Sequence, residues 1–460
     1  MSEKCDAIAM RFIIIGITDN PQPWFPPDVL EIIRQGRVFS GGKRHHEIVA
    51  PLLPKNAEWI DITAPLDAVF ERYSSLITYH SSLITSPLSL LTSPSSLLTY
   101  HSSLITSPSS LPIVVFASGD PLFFGFANTV RRKMPEAEIE LYPAFNSLQM
   151  LAHRLVLPYH DMRVVSLTGR PWPDFDRALI ECAPKIGVLT DREHTPAAIA
   201  QRMVDYGYTS YQMYVGEHLG NPSKEKVTTL TLDEAIGRTF DYPNCLILET
   251  DDPLLAGGAS RTTVGIRDAG FALLDGREKM ITKMPIRLLT LQALDLSRRH
   301  VLWDIGFCTG SVSIEARRLF PHLRIDAFEI RPECEAIIEE NARRHGAPGI
   351  GVHMGDFCSV CCDDIAADGA EPDAVFIGGH GGRLKEIMAK VLTVLRPGGV
   401  IVMNSVSSPV VDRLSHHVSS RQLFEEACCE LGLVGHEPLH IVLNDFNPID
   451  ILKCELPSSR

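Results

Sequence analysis

The stretch with the plainest chemical potential is WDIGFCTG, Trp303 to Gly310. It reads as a buried strand entering a tight turn, with Gly306 and Gly310 free to bend the backbone and bring it close to a ligand. Phe307, Cys308 and Thr309 complete a G-x-C-x-G loop. About 20 residues on, the run RIDAFEI carries Glu329 next to its end, and that carboxylate can accept from both hydroxyls of a ribose. The next run, GVHMGDF, carries Asp356, an acceptor for an adenine amino group. Alone, each feature is more often a structural turn or a solvated acid. Their order (loop, acid, acid) suits an adenosyl ligand with free ribose hydroxyls. No G-K-[ST] follows the loop, so a phosphate-bearing nucleotide fits less well.

A second loop, FASGDPLFFG, follows another apolar run. Gly119 allows close backbone approach, and Pro121 restrains the direction of Asp120 before it. Upstream, SGGKRHHE clusters Lys43, Arg44, His45 and His46 beside two glycines. Such a loop is either a solvated basic turn or a rim that pairs with carboxylates, Arg in bidentate fashion. His45 or His46 can also move protons, and the sequence selects neither. CSVCC (Cys358, Cys361, Cys362) contains C-x-x-C but has no second ligand pair at suitable spacing, so no metal is expected.

These residues need elements to place them. RFIIIGI, PIVVFASG, RVVSLTG and KIGVLT are short apolar runs, with helical patterns such as Thr195 to Tyr206 between them. A second series (HVLWDIG, RIDAFEI, GVHMGD, DAVFIGG, GVIVMNS) is spaced by helical stretches such as Pro332 to His345. Alternation of this kind predicts parallel sheets covered by helices, hence an α/β chain of two domains meeting near residues 249–262. From Ser74 to Pro108 a Ser/Thr/Pro-rich repeat of period seven intervenes. It lacks heptad a/d patterning and reads as a low-complexity insertion between a helix (APLDAVFERY) and a strand.

The chain has 460 residues, 45% hydrophobic, with a formal net charge of −13, which argues against a general nucleic-acid binder. Eleven cysteines, an odd and scattered count, suit reduced thiols better than a disulfide framework. No apolar run approaches the ~20 residues of a membrane span, and MSEKCDAIAMRFIIIG has no secretory pattern, so a cytoplasmic protein is expected.

Residues 262–405 resemble the class I S-adenosylmethionine methyltransferases, a likeness completed by the Pro-Gly-Gly turn of LRPGGVIVMN. DAVFIGGHGGRLKEIM and MITKMPIR are similar to the corrin-pathway members that methylate C15 and decarboxylate the C12 acetate arm. Residues 11–248 resemble the class III tetrapyrrole methylases, through FIIIGI, SGDP, YPAFNSLQMLA and GEHLGNPSKEKV, and within them the members acting at C5. The resemblance implies a tetrapyrrole methylase domain over 11–250, interrupted at 74–111, then a Rossmann-like methyltransferase domain over 255–455. It implies S-adenosylmethionine at Gly16, Gly119, Asp120, Pro121 and Ser147 in the first domain. In the second it implies Thr282, Gly306 to Gly310, Glu329 and Asp356. Lys43, Arg44, His45 and His46 would face the acidic arms of a precorrin or cobalt-precorrin in cobalamin biosynthesis. A homo-oligomer is also implied.

Two departures stand out. Cys308 replaces a middle glycine of the loop, which is harmless at negative φ and costs about 1–2 kcal/mol at positive φ. GITDNPQP lacks a further glycine after the first strand. Methyl transfer needs mainly proximity and a dry site, so no conspicuous catalytic dyad is expected. The residues leave two rivals open: a methyltransferase pair acting on RNA or another small molecule, and a corrinoid-binding scaffold with an inactive domain. Net acidity and the lack of a basic stripe with stacking aromatics weigh against RNA.

Overall fold

The computed structural model describes residues 10–84, 112–251, 264–406, 419–443 and 447–458. Most of the repeat and most of the expected domain boundary lie outside these residues.

Five apolar runs form a parallel sheet: β1 (Arg11–Ile17), β2 (Val38–Gly41), β3 (Glu58–Asp61), β4 (Ile113–Ser118) and β5 (Glu138–Tyr142), in the order β3-β2-β4-β1-β5. Strand β1 is buried from Phe12 to Ile17, as expected of a central strand covered on both faces. A second sheet contains β6 (Arg163–Ser166), β7 (Lys185–Leu189), β8 (Gln212–Glu217), β9 (Lys226–Leu230) and β10 (Asn244–Glu249), ordered β6-β7-β10-β8-β9. Only β6 and β7 pair in parallel. Strand β10 runs antiparallel to β7 and β8, and β8 antiparallel to β9. The expectation of purely parallel sheets fails here, because β8 and β9 are joined by a short loop rather than a crossover helix.

The third sheet is built from β11 (Val301–Ile305), β12 (Arg324–Glu329), β13 (Ile350–Met354), β14 (Ala374–Ile377), β15 (Val400–Val406), β16 (Val434–Gly435), β17 (Leu439–Ile441) and β18 (Ile449–Glu455). Its order is β13-β12-β11-β14-β15-β18-β16, with β17 also paired to β18. The order reverses at β11, the switch point beyond whose carboxyl end a ligand crevice opens. Strand β18 is antiparallel to β15. Clusters around Trp303 and Phe424 on one face and around Leu302 and Val402 on the other bury this sheet.

The helix expected before the repeat runs further than the sequence reading placed it, over Asp67–Ile84, taking in the first residues of the repeat. A started helix gains a hydrogen bond for each residue added, and the first proline of the repeat is Pro87.

The two halves touch. Tyr208 donates its hydroxyl to the Gly346 carbonyl at 2.7 Å. Fully buried Asp176 receives Arg202 Nε and Nη2, both at 2.7 Å, at the same seam.

Candidate functional site

In the C-terminal half, a cavity of about 1040 Å³ opens beyond β11, β12 and β14. Of the residues the resemblance implies at the cofactor, Thr282, Gly306, Phe307, Cys308, Glu329 and Asp356 line it. Thr309 and Gly310 do not. Thr309 is buried, and a Cβ on Gly310 would stand 2.4 Å from Ile338 Cγ1, so this glycine seats the following helix (Ser311–Leu319) closely. Gly306, at φ +80°, lies against Gly379, where a Cβ would stand 2.7 Å from the backbone nitrogen.

Cys308 has φ +50°, so the harmless case for a side chain here is not realised and the strain is present. Its N–H donates to Glu329 Oε2 at 3.0 Å, which ties the loop to β12. Burial raises the thiol pKa, so the side chain is a neutral thiol at neutral pH. Because the backbone is left-handed, the usual order of substitutions inverts: Cys308→Gly is expected to be more stable than Cys308→Ala by about 1 kcal/mol. Urea unfolding of the two variants measures this. An alanine variant at least as stable as the glycine one would remove the strain argument.

Glu329 is buried and heavily engaged. Arg331 reaches it through Nε at 2.9 Å and Nη2 at 2.7 Å, and the N–H groups of Ile330 and Arg331 add to that of Cys308. Burial alone would raise the Glu329 pKa, but these donors hold it below the usual range. The Arg331 side chain that holds Glu329 is one-third exposed. Asp356 is held by Arg383 at 2.8 Å, which lowers its pKa.

The sequence reading missed Asp304. It lines the cavity; its Oδ2 accepts from Ser313 Oγ at 2.6 Å, while buried Oδ1 has no hydrogen-bond partner among the described residues. Burial pushes this carboxyl up to about 7, Ser313 works against that, and Glu329 adds to it. The available signal was one acid inside the apolar run VLWDIG.

The N-terminal half holds a cavity of about 920 Å³ between its two sheets. Lys43, Arg44, His45, Gly119 and Ser147 line it. Ser147 begins a helix capped reciprocally by Asn146 and Gln149. Gly16, Asp120 and Pro121 are not among the cavity's lining residues. A Cβ on Gly16 would stand 1.9 Å from the Gly119 carbonyl, and Asp120 accepts locally from Leu122 N–H at 2.8 Å. Of the two histidines, His46 stacks on Trp59 at 4.2 Å and leaves the cavity to His45. Burial, then Arg44, lowers the His45 pKa to about 4, so that ring is neutral. It meets Ser118 Oγ at 2.9 Å, as Arg44 does at 3.0 Å.

Asp19 Oδ2 meets His218 Nδ1 at 2.9 Å, and Asp19 Oδ1 accepts from Arg44 at 3.1 Å, both beside this cavity. Asp19 belongs to GITDNPQP, the segment that departs from the glycine pattern. His218 stands at φ +48°, a conformation concentrated at functional sites. Cys358 is half-buried, Cys361 exposed and Cys362 buried. Among the described residues no helix is long and apolar enough to cross a membrane.

Both halves match known families. Residues 13–236 match the Tetrapyrrole (Corrin/Porphyrin) Methylases, and residues 275–421 match a Precorrin methyltransferase domain. A precorrin-6Y C(5,15)-methyltransferase (decarboxylating) from Sinorhizobium is 30% identical over 88% of this chain and 87% of its own. A cobalt-precorrin-6B C(15)-methyltransferase (decarboxylating) from Salmonella typhimurium is 30% identical over 40% of this chain and 92% of its own. Among solved structures, a precorrin-6Y C5,15-methyltransferase from Geobacter metallireducens shares 33% identity, covering 42% of this chain and 96% of that one at a TM-score of 0.35.

Proposed function

The chain belongs to the decarboxylating precorrin-6Y C(5,15)-methyltransferases, and from that premise we propose that it methylates a precorrin or cobalt-precorrin at C5 and C15 and removes the C12 acetate carboxyl, in cobalamin biosynthesis. Residues 11–250 form the C5-methylating domain and residues 255–455 the C15-methylating, decarboxylating one. The chain acts in the cytoplasm as a homo-oligomer.

S-adenosylmethionine supplies an electrophilic methyl group on a sulfonium. The residues of the C-terminal cavity fit it. The orphaned, buried Asp304 Oδ1 lacks a cationic donor of the kind an α-ammonium provides. Glu329 suits the ribose once Arg331 withdraws, and exposed Ile330 offers an apolar face to a base. Gly306 lets the loop close against Gly379 at the cavity edge, where the methionine part would lie. In the N-terminal cavity, Gly119 and Ser147 border the cofactor side, and Lys43, Arg44 and His45 form the rim that meets carboxylate arms. The loops exclude water and hold the ring carbon in line with the methyl group.

The single observation that carries the reading is likeness to one bifunctional relative across nearly the whole chain, over both cavities. The test incubates the full chain with S-adenosylmethionine and a precorrin-6 substrate, and reads the product by mass spectrometry. Gain of two methyl groups with loss of one carbon dioxide is expected. An unmodified macrocycle would overturn the proposal, and methyl transfer to RNA under the same conditions would replace it.

A further inference from the structure

The loop Gly378–Gly382 follows β14 and borders the C-terminal cavity with Gly378, Gly379, His380 and Gly381. Gly381 and Gly382 have φ +53° and +81°. A Cβ on Gly379, Gly381 or Gly382 would meet nothing within 4 Å, so these glycines shape an open loop rather than relieve crowding. Gly382 N–H donates to His380 Nδ1 at 3.1 Å. That bond requires a bare Nδ1, so in the neutral ring the proton sits on Nε2. Burial lowers the His380 pKa, which keeps the ring neutral at neutral pH. Nε2–H has no partner among the described residues. The nearest cation in the sequence, Arg383, is spent on Asp356 at 2.8 Å and on Glu386 at 2.7 and 2.8 Å. The loop therefore offers an oriented donor without a positive charge.

We propose that this loop seats the carboxylate that leaves as carbon dioxide, with the His380 Nε2–H as its positioning donor. The inference rests on the decarboxylation assigned above. In that step the bond between the arm's methylene carbon and its carboxylate carbon breaks. The electron pair enters the conjugated macrocycle, neutral carbon dioxide departs, and the methylene carbon takes a proton from water. Negative charge thus moves from the carboxylate to the ring. A cation fixed on the carboxylate would stabilise the ground state more than the transition state and slow the step. A neutral donor orients the group at a smaller penalty, because hydrogen bonds to uncharged donors are the weaker kind.

The test uses the full chain, S-adenosylmethionine carrying a labelled methyl, and substrate carrying a second label in the C12 acetate carboxyl. The ratio of carbon dioxide released to methyl transferred at C15 is compared for wild type, His380→Ala, His380→Gln and His380→Lys. His380→Ala is expected to lower that ratio about tenfold or more. His380→Gln, a neutral donor of similar reach, should restore most of it, and His380→Lys should not. An unchanged ratio in His380→Ala overturns the inference, as does full recovery with Lys. Wild type that methylates without releasing label removes the decarboxylation reading and this inference together, whereas an altered ratio in the variants alone bears on His380.

Discussion

Asp304→Asn is expected to weaken S-adenosylmethionine binding by the chain about 10- to 100-fold, the worth of one hydrogen bond to a charged group in a buried place. The carboxyl is unusual because burial holds it near 7, so close to half of it carries a proton at neutral pH. An ammonium brought to the bare Oδ1 favours the ionised form and lowers that pKa. Binding at pH 7 should therefore expel part of a proton, and the binding heat should differ between buffers of high and low ionisation enthalpy. The Asn variant should show no such difference from this site. For the free protein the sign reverses. A folded-state pKa raised above the unfolded value means that stability from this group is present in acid and is lost as pH rises from about 4 to 7. The Asn variant should thus gain on wild type in thermal stability across that window while losing cofactor affinity. Equal affinities of the two proteins at pH 8 would show that Asp304 does not meet the ammonium.

Arg287→Met should cost about 3–5 kcal/mol of stability, read as a lower urea midpoint with an unchanged slope. Arg287 is fully buried on the helix Met284–Leu294. Its guanidinium reaches Glu315 at 3.0 Å, Asp268 at 3.3 Å and the Thr282 carbonyl at 2.7 Å, donates to the Ile266 carbonyl, and lies 5.1 Å from the Phe271 ring. It gathers the segment that carries Thr282 to the cavity. Truncation leaves Glu315, itself 1% exposed, with its charge uncompensated. Adding Glu315→Leu should recover only part of the loss, since the Gly265 and Ile266 N–H groups, at 2.9 Å from Glu315 Oε1 and Oε2, would then be orphaned. Full recovery in the double variant would mean the ion pair contributes nothing beyond its own desolvation.

What the sequence made legible were features written locally. Strands β11, β12, β14 and β15 are mostly apolar runs, and the cofactor loop follows the first of them. The G-x-C-x-G loop and Glu329 fall at the cavity because a single βαβ unit sets their separation. Asp304 was hidden because an acid inside a strand looks like a pattern error until its surroundings are known. The Asp19–His218 contact joins residues 199 apart across two sheets, a distance no short-range pattern encodes. The antiparallel β8, β9 and β10 could not be told from parallel strands by composition. The Gly306-to-Gly310 expectation was too even-handed: the loop borders the cavity as far as Cys308 and then turns into the following helix, so Thr309 and Gly310 are packed away from it.

Gly349 has a wider importance than its place in a short connection suggests. It sits at φ +82°, and a Cβ there would stand 2.7 Å from Asp176 Oδ2 of the first half and 3.1 Å from Arg317 Nη2 of the second. The seam is keyed by a missing side chain. A residue of any size at 349 acts as a wedge, driven between the halves at a point lining neither cavity. The chain thus offers a point at which the seam can be loosened without touching either cavity, so that what the fixed orientation adds to the paired reactions becomes separable from what each site does alone.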